Sequence, residues 1–367
     1  MSYLRLLKPI INRSTGGIVI LAFALLVSAP KAEAWDHPSH MTTAAIAFAE
    51  IERAKPELIE KLEVVFMKHP DTSPFWVAAG DARGAERAKR MFIEGARWAD
   101  DTKGTIHDRP TWHTARWAII AKDAPPEARA AAEARKGRPA GQAIEALVLN
   151  YATLSSAETS PSERALALGW LLHLVGDIHQ PLHVSDLYSK EFPAGNAAGT
   201  QQYVMDPVNN KPIPLHLLWD SNIYRSTKLN AVEQNARELV KKYPRSAFPE
   251  LKGLEGPGDF EKWARESYQV AVDFAYGYGI KTVSDPDKDL DPDKAVKKMV
   301  AYVLYGVPPL EEAPELQVEY WEKLQQVAQR RITLAGYRIA DLIITAADNI
   351  GSERSLSGKA LQVLDHE

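Results

Sequence analysis

Two pairs of histidine and aspartate, each four residues apart, are the first candidates for chemistry. His173 and Asp177 lie in a nearly apolar segment, and His216 and Asp220 repeat the spacing further along the chain. Residues four apart share one face of a helix, so each pair can reach a single ion. His183 follows Asp177 closely. Imidazole nitrogen and carboxylate oxygen are the ligands that zinc accepts when thiolates are absent.

Burial favours a metal site more strongly than spacing alone. A single His and Asp pair in a helix is more often a surface ion pair or a core histidine with a hydrogen-bonding partner. The segment from Arg164 to Gln180 is so apolar, however, that the charge of Asp177 must be compensated there. Two such pairs together with His183 therefore favour a metal centre.

The composition restricts which chemistry is available. The 367 residues include no cysteine, which excludes disulfides, thiolate ligands and cysteine nucleophiles. Hydrophobic residues make up 45% and charged residues 25%, which is typical of a globular protein and argues against disorder. The formal net charge of −4 offers no general attraction to nucleic acid or to an anionic membrane. Any anionic substrate must therefore be held by local cations.

Residues 1–34 have the pattern of a secretory signal peptide. Basic residues come first, an apolar run from Gly17 to Ala29 follows, and Ala32-Glu33-Ala34 provides an A-x-A cleavage site. The run is shorter than the ~20 residues that span a bilayer, so an uncleaved anchor is the weaker alternative. Cleavage would make Trp35 the first residue of a periplasmic or secreted protein without stable membrane association.

Helices must position these residues. Helical periodicity or helix-forming composition predicts helices over Pro56–Met67, Pro126–Ala152 with a break at Gly137 and Pro139, Arg164–Gln180, Phe260–Tyr278 and Glu315–Asn349. Ser160 and Glu163 fit a capping box that opens the helix carrying His173.

Strand patterns are scarce. Gln201–Met205 and Lys211–Leu215 predict at most a small β-hairpin. No internal repeat is visible. We therefore expect one all-α helical domain over residues 35–350, followed by a polar tail at 351–367.

Five motifs in order carry a resemblance to a known family. They are Trp35-Asp-His-Pro-Ser-His40, Arg97-Trp-Ala-Asp100, Trp112-His113, Leu172-His-Leu-Val-Gly-Asp-Ile-His-Gln-Pro-Leu-His183, and His216-Leu-Leu-Trp-Asp220. This combination resembles the trinuclear-zinc single-strand nucleases, the family of mung bean nuclease and its fungal and plant relatives. The zinc phospholipases C are a related family. The resemblance covers nearly all of the chain after residue 34 and implies the single-domain helical bundle of these enzymes.

The resemblance implies three zinc ions per chain. One ion would be held by Asp100, His113, His173 and Asp177. The second would be held by Asp177 as a bridge, by His40, and by the amino and carbonyl groups of Trp35. The third would be held by His183, His216 and Asp220. Only cleavage after Ala34 would create the amine of Trp35.

The same resemblance implies hydrolysis of single-stranded DNA and RNA to 5′-phosphate products, with removal of 3′-phosphates as an accompanying activity. Closely spaced zinc ions lower the pKa of a water, and a further ion stabilises the departing 3′ oxygen. Among the candidate catalytic residues, Asp177 would bridge two ions and Lys103 would contact a phosphate. A solvated lysine at a helix end is the alternative for Lys103. Arg116 could bind a phosphate.

Thr114 and Arg116 depart from the family pattern. That pattern usually has an aromatic residue and a carboxylate at these positions, which help to bind the base. The departure leaves base preference open, and with it two alternatives: a phospholipase C-like hydrolase and a non-catalytic zinc-binding protein. Asp220, preceded by Trp219, favours the nuclease over the phospholipase, in which a glutamate holds the last ligand position.

The other histidines have less distinctive neighbours. His179 lies between two candidate ligands and is expected to hydrogen-bond a ligand rather than to bind metal. The remaining ones, His37, His69, His107 and His366, are expected on the surface.

Overall fold

The computed structural model describes residues 35–221, 223–252, 259–276, 283–284, 313 and 315–347. The predicted signal peptide, the polar tail and His366 lie outside the described residues. Within these ranges, no helix combines the length and the hydrophobicity that crossing a bilayer requires.

The described residues form mainly α-helices, which confirms the all-α prediction. In chain order they are α1 (His37–Ala54), α2 (Leu58–Met67), α3 (Ser73–Ala79), α4 (Gly84–Asp101), α5 (Pro126–Ala134), α6 (Ala143–Ser155), α7 (Pro161–Asp177), α8 (Leu215–Ser221), α9 (Leu229–Lys242), α10 (Asp259–Val270) and α11 (Val318–Thr345). A 3₁₀ turn covers Pro181–Val184, and a π-helical turn at Ala271–Ala275 extends α10.

The predicted helix boundaries follow local chemistry. Ser160 Oγ accepts the Glu163 N–H at 3.3 Å, and the Glu163 carboxylate accepts the Ser160 N–H at 3.2 Å. This reciprocal capping box satisfies two otherwise unpaired donors at the start of α7. The glycine and proline near residue 138 separate α5 from α6, as expected. The C-terminal helix α11 is shorter at both ends than the sequence indicates.

Short strands connect the helices. Strands β3 (Gln202–Met205) and β4 (Pro212–Pro214) pair antiparallel, as predicted, and β5 (Val283–Ser284) joins β3. The sequence did not predict a parallel pair between β1 (Trp117–Ile120) and β2 (Ser185–Tyr188). Four residues per strand are too few to produce a recognisable alternation, and the partners are far apart in the chain.

Helix α7 lies at the centre of the fold. It packs against α4, α6 and α11, and α1 packs against α4 and α11. From Ala167 to Asp177 every residue of α7 is buried. The apolar character of this helix thus places His173 and Asp177 in the interior, where charge is costly unless it is compensated.

Candidate metal centre

Histidines and aspartates from separate elements converge at the C-terminal end of α7. They form three groups: His40, His173 and Asp177; Asp100, His113 and His173; and His183, His216 and Asp220. Within each group the potential ligand atoms lie within 4.8 Å of one another. All of these side chains are buried except that of His113, which is 13% exposed. The structure therefore brings together the eight side chains that are predicted as ligands in addition to Trp35.

Each element supplies its residues for a structural reason. His40 lies in the first turns of α1, where Asp36 accepts the Ser39 N–H as the N-cap. Asp100 lies in the last turn of α4. His216 and Asp220 are four residues apart in α8 and therefore lie on one face of that helix, with 3.3 Å between His216 Nε2 and Asp220 Oδ2.

The carboxylate of Asp177 lies between two sets of imidazoles. Its Oδ2 atom is 3.2 Å from His113 Nδ1 and 3.3 Å from His173 Nε2. Its Oδ1 atom is 3.4 Å from His40 Nε2. On the other side, Asp100 Oδ1 is 3.8 Å from His173 Nε2. Because its two oxygens face different histidines, Asp177 is arranged as a bridging ligand would be.

Backbone carbonyls fix the tautomers of three of these histidines. The Nδ1 atoms of His173, His183 and His216 donate to the carbonyls of Ala96, His113 and Ala198 at 2.8, 2.7 and 2.7 Å. Each neutral ring therefore presents a lone pair at Nε2. The Nε2 atoms of His183 and His216 face each other at 3.1 Å. Two lone pairs at this distance require a proton or a cation between them.

Several ligand atoms have no hydrogen-bond partner. Both ring nitrogens of His40, both oxygens of Asp100, Asp177 Oδ1 and Asp220 Oδ2 are buried and unpaired in the described part of the chain. Buried polar atoms are nearly always paired, so a cluster of unpaired acceptors needs an explanation. Cations bound among these atoms would satisfy them, and an imidazole and carboxylate donor set suits zinc.

The pKa values reflect charges held close together in the interior. Burial, and then the neighbouring His173, lowers the pKa of His40 to about 4. Burial also opposes the charged form of His173, but Asp177 and Asp100 outweigh it and raise the pKa of His173 to about 9. Burial raises the pKa of Asp220 well above its usual range. In the absence of a cation, His173 therefore carries a proton that a bound metal must displace.

Trp35 is fully buried beside the ligand groups. The N–H of the next residue, Asp36, donates to the carbonyl of Asp220 at 3.1 Å. A Cβ atom at Gly176 would lie 2.7 Å from His40 Nδ1 and 3.8 Å from Trp35 Cδ1. The glycine that precedes Asp177 thus allows the Trp35 and His40 side chains to pack directly on α7.

The two predicted phosphate-binding cations occupy different places. Lys103 Nζ lies 3.6 Å from Asp100 Oδ1 and its side chain is 30% exposed, so it stands at the edge of the ligand groups. Arg116 instead faces Asp186, with Nη1 and Oδ2 separated by 3.9 Å. Among the described residues it forms no ion pair with a predicted ligand, so the structure brings Lys103 to the site but not Arg116.

Some supporting residues gave no signal in the sequence. Gln180 Nε2 donates to Asp220 Oδ1 at 2.7 Å and orients that carboxylate, as partners of metal ligands commonly do. The carbonyls that fix the histidine rings cannot be recognised from residue type at all. These carbonyls can be identified only once the structure shows which distant segments are in contact.

Two predictions for other histidines differ from the structure. His179 does not hydrogen-bond a predicted ligand: its Nδ1 donates to Val175, and its Nε2 accepts from Arg338 at 2.8 Å. The prediction that His69 lies on the surface is wrong, since it is 1% exposed and packs on Trp98 with 4.5 Å between ring centroids. The partners of these rings, Arg338 for His179 and Trp98 for His69, lie on elements distant in sequence.

An ionic network with two buried arginines holds the turn that follows Asp177. Arg338 binds the Glu266 carboxylate through both terminal nitrogens at 2.8 Å. Arg331 donates to the carbonyl of His179 at 3.2 Å, and Ser267 donates to the carbonyl of Ile178. Helices α10 and α11 thereby fix the backbone that joins Asp177 to His183.

Helical architecture and three buried His and Asp groups define an all-α metalloprotein with potential for hydrolytic chemistry. The sequence matches the S1/P1 nuclease family over residues 35–348, and the chain belongs to that family. The protein is therefore a metal-dependent phosphodiester hydrolase that acts on nucleic acid.

Two curated relatives agree with this assignment. Nuclease S1 of Aspergillus oryzae (strain ATCC 42149 / RIB 40) is 28% identical over 250 residues, which cover 67% of this chain and 75% of that protein. Endonuclease 2 of Arabidopsis thaliana is 25% identical over 278 residues, covering 71% of this chain and 82% of that protein. Both carry nuclease names, which favours the nuclease over the phospholipase and over a non-catalytic metal-binding protein.

We predict that Asp177→Asn lowers the metal content and removes activity without loss of helix. The amide keeps the shape but loses the charge that two sets of imidazoles face. The activity should fall by more than the roughly 10- to 100-fold that loss of an outer hydrogen-bond partner costs. Elemental analysis, circular dichroism and nuclease assays would measure these effects. The exposed Asp123→Asn is the matched control, and full activity of Asp177→Asn would contradict the ligand assignment.

We also predict that metal binding releases protons at neutral pH. With a pKa of about 9, His173 is protonated in the metal-free protein at pH 7, whereas a ligand must be neutral. Apparent affinity should therefore rise as the pH increases from 7 to 9 and level off above it. Calorimetric titration with zinc in buffers of different ionisation enthalpy would count the protons. A proton count of zero at pH 7 would refute this assignment of charge.

Proposed function

We propose that this protein is a secreted or periplasmic zinc endonuclease that hydrolyses single-stranded DNA and RNA to 5′-phosphate products and also removes 3′-phosphates. Three zinc ions per chain are part of the proposal. Family membership supports the nuclease activity. The finer statements depend on the buried ligand groups and on the N-terminal sequence.

The number of ions is supported by the division of the ligand atoms. Asp177 Oδ1 faces His40 and Asp177 Oδ2 faces His113, so this carboxylate could serve two cations, one at each oxygen. The Nε2 lone pairs of His183 and His216 face each other in a third place. This last contact is the observation that carries the proposal, because two ring nitrogens 3.1 Å apart, both beside the carboxylate of Asp220, form a donor set that suits a cation.

The proposed ligands would be distributed among the three ions as the resemblance implies. Asp100, His113, His173 and Asp177 would hold one ion; His40, Asp177 and the amine and carbonyl of Trp35 a second; His183, His216 and Asp220 the third. Zinc bound there would polarise phosphoryl oxygens, lower the pKa of a water toward neutrality and stabilise the departing oxygen.

Exposure indicates where the substrate enters. Of the ligand side chains, that of His113 is the most accessible, and the partly exposed Lys103 lies on the same side next to Asp100. The ammonium of Lys103 would bind an oxygen of the scissile phosphate and orient it toward the ligand groups. The remaining ligand side chains are buried, which excludes bulk water from them.

The recessed position favours single strands. The phosphates of a duplex can reach buried groups only if the strands unpair. Unpairing costs free energy, and a single-stranded substrate does not need it. The overall acidic charge gives no extended basic face that would hold a duplex. Attraction to the substrate must therefore be local.

The N-terminus supports export. The sequence has the three regions of a signal peptide, and the family match begins at Trp35, directly after the A-x-A site. Export would then complete the site, because the Trp35 amine exists only in the processed chain. The domain would cover 35–350, with 351–367 as a tail.

The protein processed at Trp35 should cleave denatured DNA and RNA and release 5′-phosphate ends. Duplex DNA should be cut much more slowly, and phosphatidylcholine should not be hydrolysed. Product analysis on each of these substrates and on a 3′-nucleotide, with the zinc content measured in parallel, tests the proposal. A zinc-loaded protein that cleaves neither nucleic acid would refute it.

A chain that keeps an extra methionine before Trp35 should bind fewer zinc ions than the processed chain and should be less active. The added residue turns the proposed amine ligand into an amide, which is a poor donor for zinc. Elemental analysis of both forms, with circular dichroism to compare their folding, measures the difference. Equal zinc content and equal activity would show that the amine is not a ligand.

A further inference from the structure

A second charged cluster lies outside the predicted ligands, where β1, β2 and the end of α5 meet. Arg116 Nη1 and Arg135 Nη1 lie 3.9 and 3.5 Å from the same atom, Asp186 Oδ2. Asp186 is only 6% exposed. Two guanidinium groups therefore share one buried carboxylate, and the cluster has an excess positive charge.

Two donor atoms of this cluster have no hydrogen-bond partner in the described part of the chain. Neither arginine hydrogen-bonds the carboxylate of Asp186, which accepts the Ala198 N–H at 3.4 Å. Arg135 Nη1 donates to Tyr188 Oη at 3.4 Å. Arg116 Nε and Arg135 Nη2 are buried and make no hydrogen bond within the described residues. Guanidinium groups are donors only, so the missing partner must be an acceptor.

The cluster is open to solvent on the arginine side. The side chains of Arg116 and Arg135 are 26% and 17% exposed, whereas Asp186 lies beneath them. Gly195, with φ of +92°, closes over the carboxylate, since a Cβ atom there would lie 2.9 Å from Asp186 Oδ1. Asp186 is thus positioned to hold the two guanidinium groups in place from below.

The cluster is connected to the metal centre by short segments of chain. Arg116 follows His113 by three residues, and Asp186 follows His183 by three residues. The Ala115 N–H donates to the carbonyl of His183 at 3.0 Å, and the two segments continue as the parallel pair β1 and β2. Three residues span at most ~10 Å. A stacked strand rises ~3.4 Å per nucleotide, so neighbouring nucleotides lie within this distance.

We propose that Arg116 and Arg135 form a subsite for a second phosphate of the substrate strand, next to the phosphate that is cleaved. The inference depends on the proposed nuclease function. Arginine binds phosphate through paired N–H donors, and the solvent-exposed parts of these two guanidinium groups can supply them. The subsite explains why an acidic protein needs no extended basic face: one local pair of cations fixes the strand.

The test compares three substrates with the same scissile bond. The first is a dithymidine whose only phosphate is the scissile one. The other two carry an added 5′-terminal phosphate or an added 3′-terminal phosphorothioate, which keeps the charge but resists removal. For at least one of them, the internal bond should be cleaved with a kcat/KM about tenfold or more above the first, mainly through KM, as expected for a charge-assisted contact. In Arg116→Gln and Arg135→Gln this ratio should fall toward one.

Arg138→Gln is the matched control, because Arg138 is exposed, lies three residues after Arg135 and carries the same charge. It should keep the ratio of the wild-type protein. A wild-type ratio near one, or an unchanged ratio in both cluster variants, would overturn the inference. An equal loss on all three substrates would identify a purely structural ion cluster and would overturn it too. If the wild-type protein cleaves none of them, the proposed function itself fails.

Discussion

The structure depends on one electrostatic constraint. Imidazole nitrogens and carboxylate oxygens lie close together in the interior, with too few hydrogen atoms between them for every contact to be a hydrogen bond. The Nδ1 N–H groups of His183 and His216 donate to backbone carbonyls, so their Nε2 atoms face each other without a hydrogen from either neutral ring. The unpaired oxygens of Asp100 and Asp177 add negative charge at the same place. Such a centre is unfavourable by itself and becomes stable when cations occupy it. Cation binding is therefore expected to stabilise this region.

The scaffold keeps this unfavourable arrangement from relaxing. Helix α7 is buried on all sides and is capped at its start, so it cannot rotate to expose His173 and Asp177. Beyond its end, Arg331, Arg338 and Glu266 fix the backbone that leads to His183. A buried ion network of this kind contributes little net stability, but it imposes one geometry, since breaking it would leave a charge unpaired. Here it holds two ligand groups at a fixed separation.

The sequence predicted what short-range patterns encode. The four-residue spacing of His173 and Asp177, the capping box at Ser160 and the apolar helix between them led to α7 and to the core of the candidate site. The β1 and β2 pair, the role of Gln180 and the Arg338 partner of His179 depend on contacts between distant segments, for which one sequence carries no signal. His69 was misplaced for the same reason: its burial follows from Trp98, 29 positions along the chain. Arg116 was recognised as unusual, but its partner Asp186 was not.

The most direct test of the central claim is anomalous X-ray diffraction at the zinc absorption edge, from crystals of the protein processed at Trp35 and grown with zinc. The account predicts three strong peaks: one between Asp100 and His113, one between His40 and Trp35, and one between His183 and His216. A map without peaks among these side chains, or with zinc bound only elsewhere on the molecule, would contradict it.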